Sequence, residues 1–345
     1  MLRFVYPRPE IKFMESSLRP MSTSQVLDRT FFLYRKNFVL FAGIAVVTPT
    51  LSLIAQLIQL AIFGMPVAPN FAGGDPGRAM QAYFLRIAIS AAIGLVVYTI
   101  GYAITSGATV RAVSMLHLGR TTSIKECYEN VTPIWGRLMG LVCRILLKAG
   151  GPSLVCYGLL IGFSLAMISA TKGGAGNPGA VIGVAVMMLF ILVGLLAGFV
   201  WGVITYCRYA LAVPACTIEG LPVKYALIRS RFLTKGSLGR VFAVYFLTGV
   251  ITVAVKTLLQ SPVYASSGFS FRAGLHLTPG LLAWIYTSEF IGSLFAGPIA
   301  AIAMALIYYD ERVRKEAFDL QLMMEAMGNP PVKQEASTQS ASGTI

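Results

Sequence analysis

The chain has 345 residues, of which 56% are apolar and only 12% charged, and it carries 28 Lys and Arg against 14 Asp and Glu, a net charge of +14. A charged share about half the ~25% usual in soluble domains excludes a conventional polar surface. Segregation of the positive charge along the chain assigns it to a membrane surface and excludes nucleic acid as its partner.

Residues 1–21 contain no short apolar core followed by a small-residue cleavage site, so no secretory signal is expected. They read as a disordered extension, with Met21 as the expected native start. Six mostly apolar runs follow: Phe38–Phe63, Tyr83–Met115, Leu138–Ala170, Val181–Val213, Leu238–Gln260 and Leu281–Tyr309. Each is long enough for a helix to cross a hydrocarbon layer about 30 Å thick. The period-two alternation of barrel strands is absent. The expected fold class is therefore an all-α polytopic membrane protein with six transmembrane helices.

Of the 28 cations, 20 lie on the N-terminus, the 119–137 and 208–240 links and the C-terminal tail, against Arg78, Lys172 and Arg272 on the alternate links. That asymmetry predicts an inner-membrane protein with both termini cytoplasmic. Sliding the chain by 200 positions aligns Leu27, Arg29, Phe32 and Leu33 with Leu227, Arg229, Phe232 and Leu233, and Ser123–Leu141 is a fainter echo midway. The pattern predicts three hairpin repeats, at about 22–119, 120–220 and 221–327, each led by an amphipathic helix. In Ser24–Lys36 the face is Val26, Leu27, Thr30, Leu33 and Tyr34, expected to lie in the acyl boundary with its basic side toward headgroups. The loops on the other side are rich in Gly, Pro and Ser. Residues 328–345 are polar and expected to be disordered.

Within the spans, Gly194, Gly198 and Gly202 recur every four residues, as do Gly158 and Gly162, and small residues at that spacing suit close helix packing. Arg144 and Lys148 stand four apart with Arg137 on the same face, expected either to end a surface helix before Gly150-Gly151-Pro152 breaks it or to form a basic pocket for a lipid phosphate. Together with Arg29, Arg35, Lys36, Arg229, Arg231 and Lys235 they are the candidate headgroup contacts. Lys256 and Glu289 are the one acid and base near the outer ends of adjacent spans, expected to form an ion pair. Five cysteines without C-x-x-C spacing predict neither a zinc site nor a disulfide framework. His117 and His276 are too far apart to share a metal, and Glu126 and Glu129 beside Lys125 read as a solvated face. No cofactor, metal or catalytic residue is expected.

The segments LYRKNF (33–38), ATVRAVSMLHLGR (108–120), ALAVPACTIEG (210–220) and YYDERVRKEAFDL (308–320) resemble the bacterial glycerophosphoryl diester phosphodiesterase membrane domain. The resemblance covers about residues 22–325. In some members of that family the module is fused to a catalytic barrel, whose metal-binding carboxylates have no counterpart here. The resemblance therefore implies a membrane module and supplies no catalytic residues. The expected function is a non-catalytic module that binds anionic lipid headgroups or organises a membrane-protein partner. The alternative is a small-molecule or lipid transporter with a path between the repeats, which would show itself as a cavity at mid-membrane depth lined by Thr, Ser or charged groups.

Overall fold

The computed structural model describes residues 21–65, 76–117, 119–170, 178–266 and 278–316. The expected tail, most of the expected extension and His276 lie outside the described residues. Among those described, every regular element is helical. In chain order they are α1 (Thr23–Lys36), α2 (Phe38–Ala45), α3 (Val47–Phe63), α4 (Pro76–His117), α5 (Ile124–Val131), α6 (Trp135–Ala170), α7 (Pro178–Tyr209), α8 (Ala212–Ile218), α9 (Val223–Thr234), α10 (Leu238–Ser266) and α11 (Pro279–Glu316), with a 3₁₀ turn at Thr132–Ile134. Six stretches are long and apolar enough to cross a membrane, the architecture of a multi-pass membrane protein. They pack pairwise, α3 on α4, α6 on α7 and α10 on α11. Helix α11 is central: 56% of its apolar window is buried, against 11% for the window on α7, whose Phe190, Leu196 and Phe199 face outward.

Local sequence sets the short helices. Ser22 with Gln25, and Ser123 with Glu126, form reciprocal capping boxes that start α1 and α5. Glu126 is thus a cap rather than part of a solvated face, while Lys125 and Glu129 make an exposed pair at 3.7 Å. Gly119 and Gly220 both take positive φ, +75° and +66°, where the chain turns toward α5 and α9.

The face expected of α1 is correct in its residues but not in its environment. Val26, Thr30 and Leu33 are buried, as are the register equivalents Ala226, Ser230 and Leu233 of α9. They pack on protein, α1 against α11 and α9 against α8 and α7, not in acyl chains. Phe31 and Phe32 are the exposed rings instead. Buried Thr30 Oγ1 is satisfied within α1, donating to the Val26 carbonyl at 2.7 Å, whereas docking satisfies Ser230 Oγ, which donates to the Arg208 carbonyl of α7 at 2.8 Å.

The expected break at Gly150-Gly151-Pro152 is absent, since α6 runs through it. Pro152 has no N–H for the Lys148 carbonyl, and that carbonyl accepts from the Trp201 indole at 3.3 Å instead. The α6–α7 contact is close for a second reason. A methyl at Gly198 would meet Ser153 at 2.9–3.3 Å, one at Gly202 would meet the Ala149 carbonyl at 2.9 Å, and one at Gly194 the Cys156 sulfur at 3.1 Å. Gly158 and Gly162 do not share this role, because a methyl on either meets nothing within 4 Å among the described residues.

A charge network ties the helices at one end, here the charged end. Asp310 and Glu311 of α11 are fully buried and face Arg240 of α10. Asp310 also accepts from Arg314 at 2.7 Å and from the Met21 backbone N–H at 2.5 Å, and Lys315 lies 3.5 Å from Glu311. Met21 is therefore part of the folded body rather than of an extension. Beside this cluster Arg229 pairs with Glu219 and Glu316, Tyr308 donates to Glu219, and Arg312 approaches both carboxylates. Hydrogen bonds from Arg229, above all to Glu316, hold its guanidinium above its ordinary pKa against the opposing effect of burial.

Candidate functional site

Four of the spans carry polar residues at helical intervals: Thr48, Ser52 and Gln56 on α3; Tyr98, Tyr102, Thr105 and Thr109 on α4; Tyr245, Thr248, Thr252 and Lys256 on α10; Glu289 and Ser293 on α11. Steps of three and four place each set on one side of its helix. The four stripes face one another and, with Tyr206 of α7, line a partly open chamber of about 650 Å³. Along α11 the lining runs from Tyr286 to Ala301, about 22 Å at 1.5 Å per residue. Counted along α10, Lys256 stands about 24 Å from Arg240 at the charged end. The chamber thus occupies the middle of the bundle.

Helix backbone absorbs part of this polarity. Thr105 Oγ1 donates to the Gly101 carbonyl at 2.9 Å and Thr252 Oγ1 to the Thr248 carbonyl at 2.8 Å. Their oxygens remain able to accept. Thr48 and Thr105 hydroxyls lie 2.7 Å apart, joining α3 to α4, where Gly101 admits Thr48 so closely that an added methyl would be 3.0 Å from its Cα. The Ser52 hydroxyl, Gln56 carboxamide and Tyr286 phenol make no hydrogen bond to the described residues. A donor or acceptor left so at membrane depth costs several kcal/mol unless water or a ligand meets it.

Two further features shape the chamber. Toward its loop end Lys256 Nζ donates to Glu289 Oε1 at 2.6 Å, and Ser293 Oγ donates to the same oxygen at 3.1 Å. A methyl at Gly292 would stand 3.0 Å from the Lys256 stem, so glycine there leaves room for that side chain against α11 beside the pair. Toward the charged end stand Tyr102, Tyr206 and Tyr245. The hydroxyls of Tyr102 and Tyr206 are 3.2 Å apart, and the rings of Tyr206 and Tyr245 are 4.7 Å apart. The same three tyrosines border a second, small cavity of about 50 Å³ whose lining includes Tyr209, Ile145 and Met304.

The expected headgroup contacts divide into three groups. Arg229 is taken up by Glu219 and Glu316 and is not free to hold a lipid. Arg137 donates to the Gly220 carbonyl at 3.3 Å, Arg29 and Lys36 lie over the Phe32 ring, and Arg35 and Lys235 are exposed at the charged end. Arg144, Lys148 and Arg231 converge on one groove with Lys224. His117 is buried and stacks on Tyr309 at 4.9 Å, and the Tyr309 hydroxyl and Ser114 lie 2.8 Å apart.

The Lys256–Glu289 pair is legible in the sequence, whereas the stripes around it are not. The signal was present as Ser, Thr, Gln and Tyr recurring every three or four residues inside apolar runs. Compared with protein-family models, curated proteins and solved structures, the chain matches none. The resemblance therefore rests on its four quoted segments, whose described residues lie toward the charged end. There they supply Glu219, Tyr308, Asp310, Glu311 and Arg312 of the charge network, and none of the Lys256–Glu289 end of the chamber.

Proposed function

We propose that the protein is a carrier whose ligand enters the chamber between α3, α4, α10 and α11. The observation that supports this reading is the facing of four polar stripes at mid-bundle depth. Polar side chains in a membrane interior are costly and mark ligand or ion paths. The charged end faces the cytoplasm in this reading, and the three hairpins are repeats that move relative to one another.

The ligand is a net-neutral, hydroxyl-bearing solute. Lys256 and Glu289 compensate each other, so an ion entering the chamber would leave one of them unmatched. Hydroxyls, carboxamides and phenols both donate and accept, which fits polyols and sugars, and about 650 Å³ accommodates a mono- or disaccharide. Passage to the cytoplasm requires Tyr102, Tyr206 and Tyr245 to part.

The test is uptake into proteoliposomes of radiolabelled neutral polyols and sugars, with amino-acid zwitterions and organic anions as comparisons. Gly249 lines the chamber and a methyl there meets nothing within 4 Å among the described residues, so Gly249→Phe fills the space without changing charge. Uptake of a neutral solute that Gly249→Phe abolishes supports the reading. Absence of uptake, or uptake indifferent to that substitution, overturns it.

A further inference from the structure

A groove of about 490 Å³ at the charged end brings together two parts of the chain that are far apart in sequence. Helix α6 supplies Arg144, Leu147 and Lys148, and α9 supplies Lys224, Leu227, Ile228 and Arg231. Positions 144 and 148 are one helical turn apart, and 224 and 231 two turns, so each pair projects from a single face. Tyr209 closes one side, with Lys148 Nζ 5.2 Å from its ring centroid.

We propose that this groove is a binding site for a phospholipid whose headgroup carries two phosphates. Among the described residues no carboxylate lies within ion-pair distance of any of its four cations, whereas Arg229, Arg240, Arg312, Arg314 and Lys315 at the same end are all paired. Four unmatched cations on two helices repel one another, and an anion bound between them removes that cost. One singly charged phosphate compensates a quarter of the charge and two compensate half.

The apolar rim decides between a lipid and a soluble anion. Leu147 is 61% exposed and Ile228 54%, with Tyr225 and Phe232 also exposed on α9. A free phosphate or nucleotide meets the cations but leaves these side chains bare. A lipid meets both, its phosphates between the helices and its acyl chains along Leu147 and Ile228. The site is separate from the chamber and does not depend on a solute being carried there.

The experiment uses the full chain, purified in a mild detergent and offered cardiolipin, phosphatidylglycerol, phosphatidylethanolamine or inorganic pyrophosphate, with bound species read by native mass spectrometry. The groove variant is Lys224→Gln/Arg231→Gln, both on the exposed side of α9, and the control is Arg35→Gln/Lys36→Gln at the same end. Expected is retention of cardiolipin over phosphatidylglycerol, a loss of about tenfold or more in the groove variant, and no loss in the control. Equal loss in both variants, no preference for the diphosphate lipid, or displacement of cardiolipin by pyrophosphate would each overturn the proposal. Monodispersity on size exclusion establishes that the variants are folded, and Arg144→Gln alone, with an expected smaller loss, tests the α6 side independently.

Discussion

The Trp201 indole N–H donates to the Lys148 carbonyl, the carbonyl that Pro152 leaves without its helical partner. Related contacts occur at the other two interior prolines. Near Pro262 the Trp284 indole donates to the Leu259 carbonyl at 3.0 Å, and near Pro298 the Tyr34 hydroxyl donates to the Phe295 carbonyl at 2.7 Å. In both the acceptor is three residues before the proline, next to the carbonyl whose helical donor the proline removes. Aromatic donors on neighbouring helices thus supply hydrogen bonds to carbonyls at or beside the proline sites of these long helices.

Trp201→Phe keeps the ring's packing and removes the donor, so it should destabilise the protein by about 1 kcal/mol. With Pro152→Ala, residue 152 regains an N–H for the Lys148 carbonyl, and the Trp201→Phe cost should shrink toward zero. A double-mutant cycle on thermal unfolding in detergent reads the difference. Equal costs in both backgrounds would show that the indole bond does not compensate the proline.

Glycine substitutions should separate the two glycine series. Gly198→Ala pushes a methyl against Ser153 backbone and should cost about 1–3 kcal/mol. A methyl at Gly158 or Gly162 meets nothing within 4 Å among the described residues, so Gly158→Ala and Gly162→Ala should stay within about 0.5 kcal/mol of the parent. Comparable losses at all three positions would mean that Gly158 and Gly162 also make close contacts.

At the charged end Asp310→Asn removes a fully buried carboxylate that faces Arg240, Arg314 and the Met21 N–H. Breaking one partner of such a cluster costs about 3–5 kcal/mol, whereas Lys125→Gln, on an exposed pair, should cost less than about 1 kcal/mol. Thermal unfolding compares the two. Similar midpoints would remove the network from the stability of the fold.

Lys256→Gln and Glu289→Gln should each destabilise the protein by up to about 3 kcal/mol, less where chamber water screens the charge left behind. The double variant carries no unmatched charge and should recover most of the loss. If the double variant is worse than either single one, the pair is not held together by mutual compensation.

Several parts of this protein could be read without coordinates. Length and polarity of the apolar runs determine six helices, because backbone groups in hydrocarbon must be satisfied within a helix or a closed barrel. The 200-residue echo determines which side of α1 and α9 is apolar, because side-chain direction follows from local helical geometry. What that side packs against is not local. Whether Val26 meets lipid or α11 depends on residues hundreds of positions away, and only the tertiary structure decided it.

The same limit applies to the sites. Lys256 and Glu289 stood out because a charge inside an apolar run is conspicuous alone, whereas a threonine there is unremarkable until four helices turn their threonines toward one space. Arg229 and Arg231 look alike two residues apart in the chain. Helical rotation of about 200° sends one to Glu219 and Glu316 and the other to an unpaired groove, and the difference lies in which neighbours reach each side of α9.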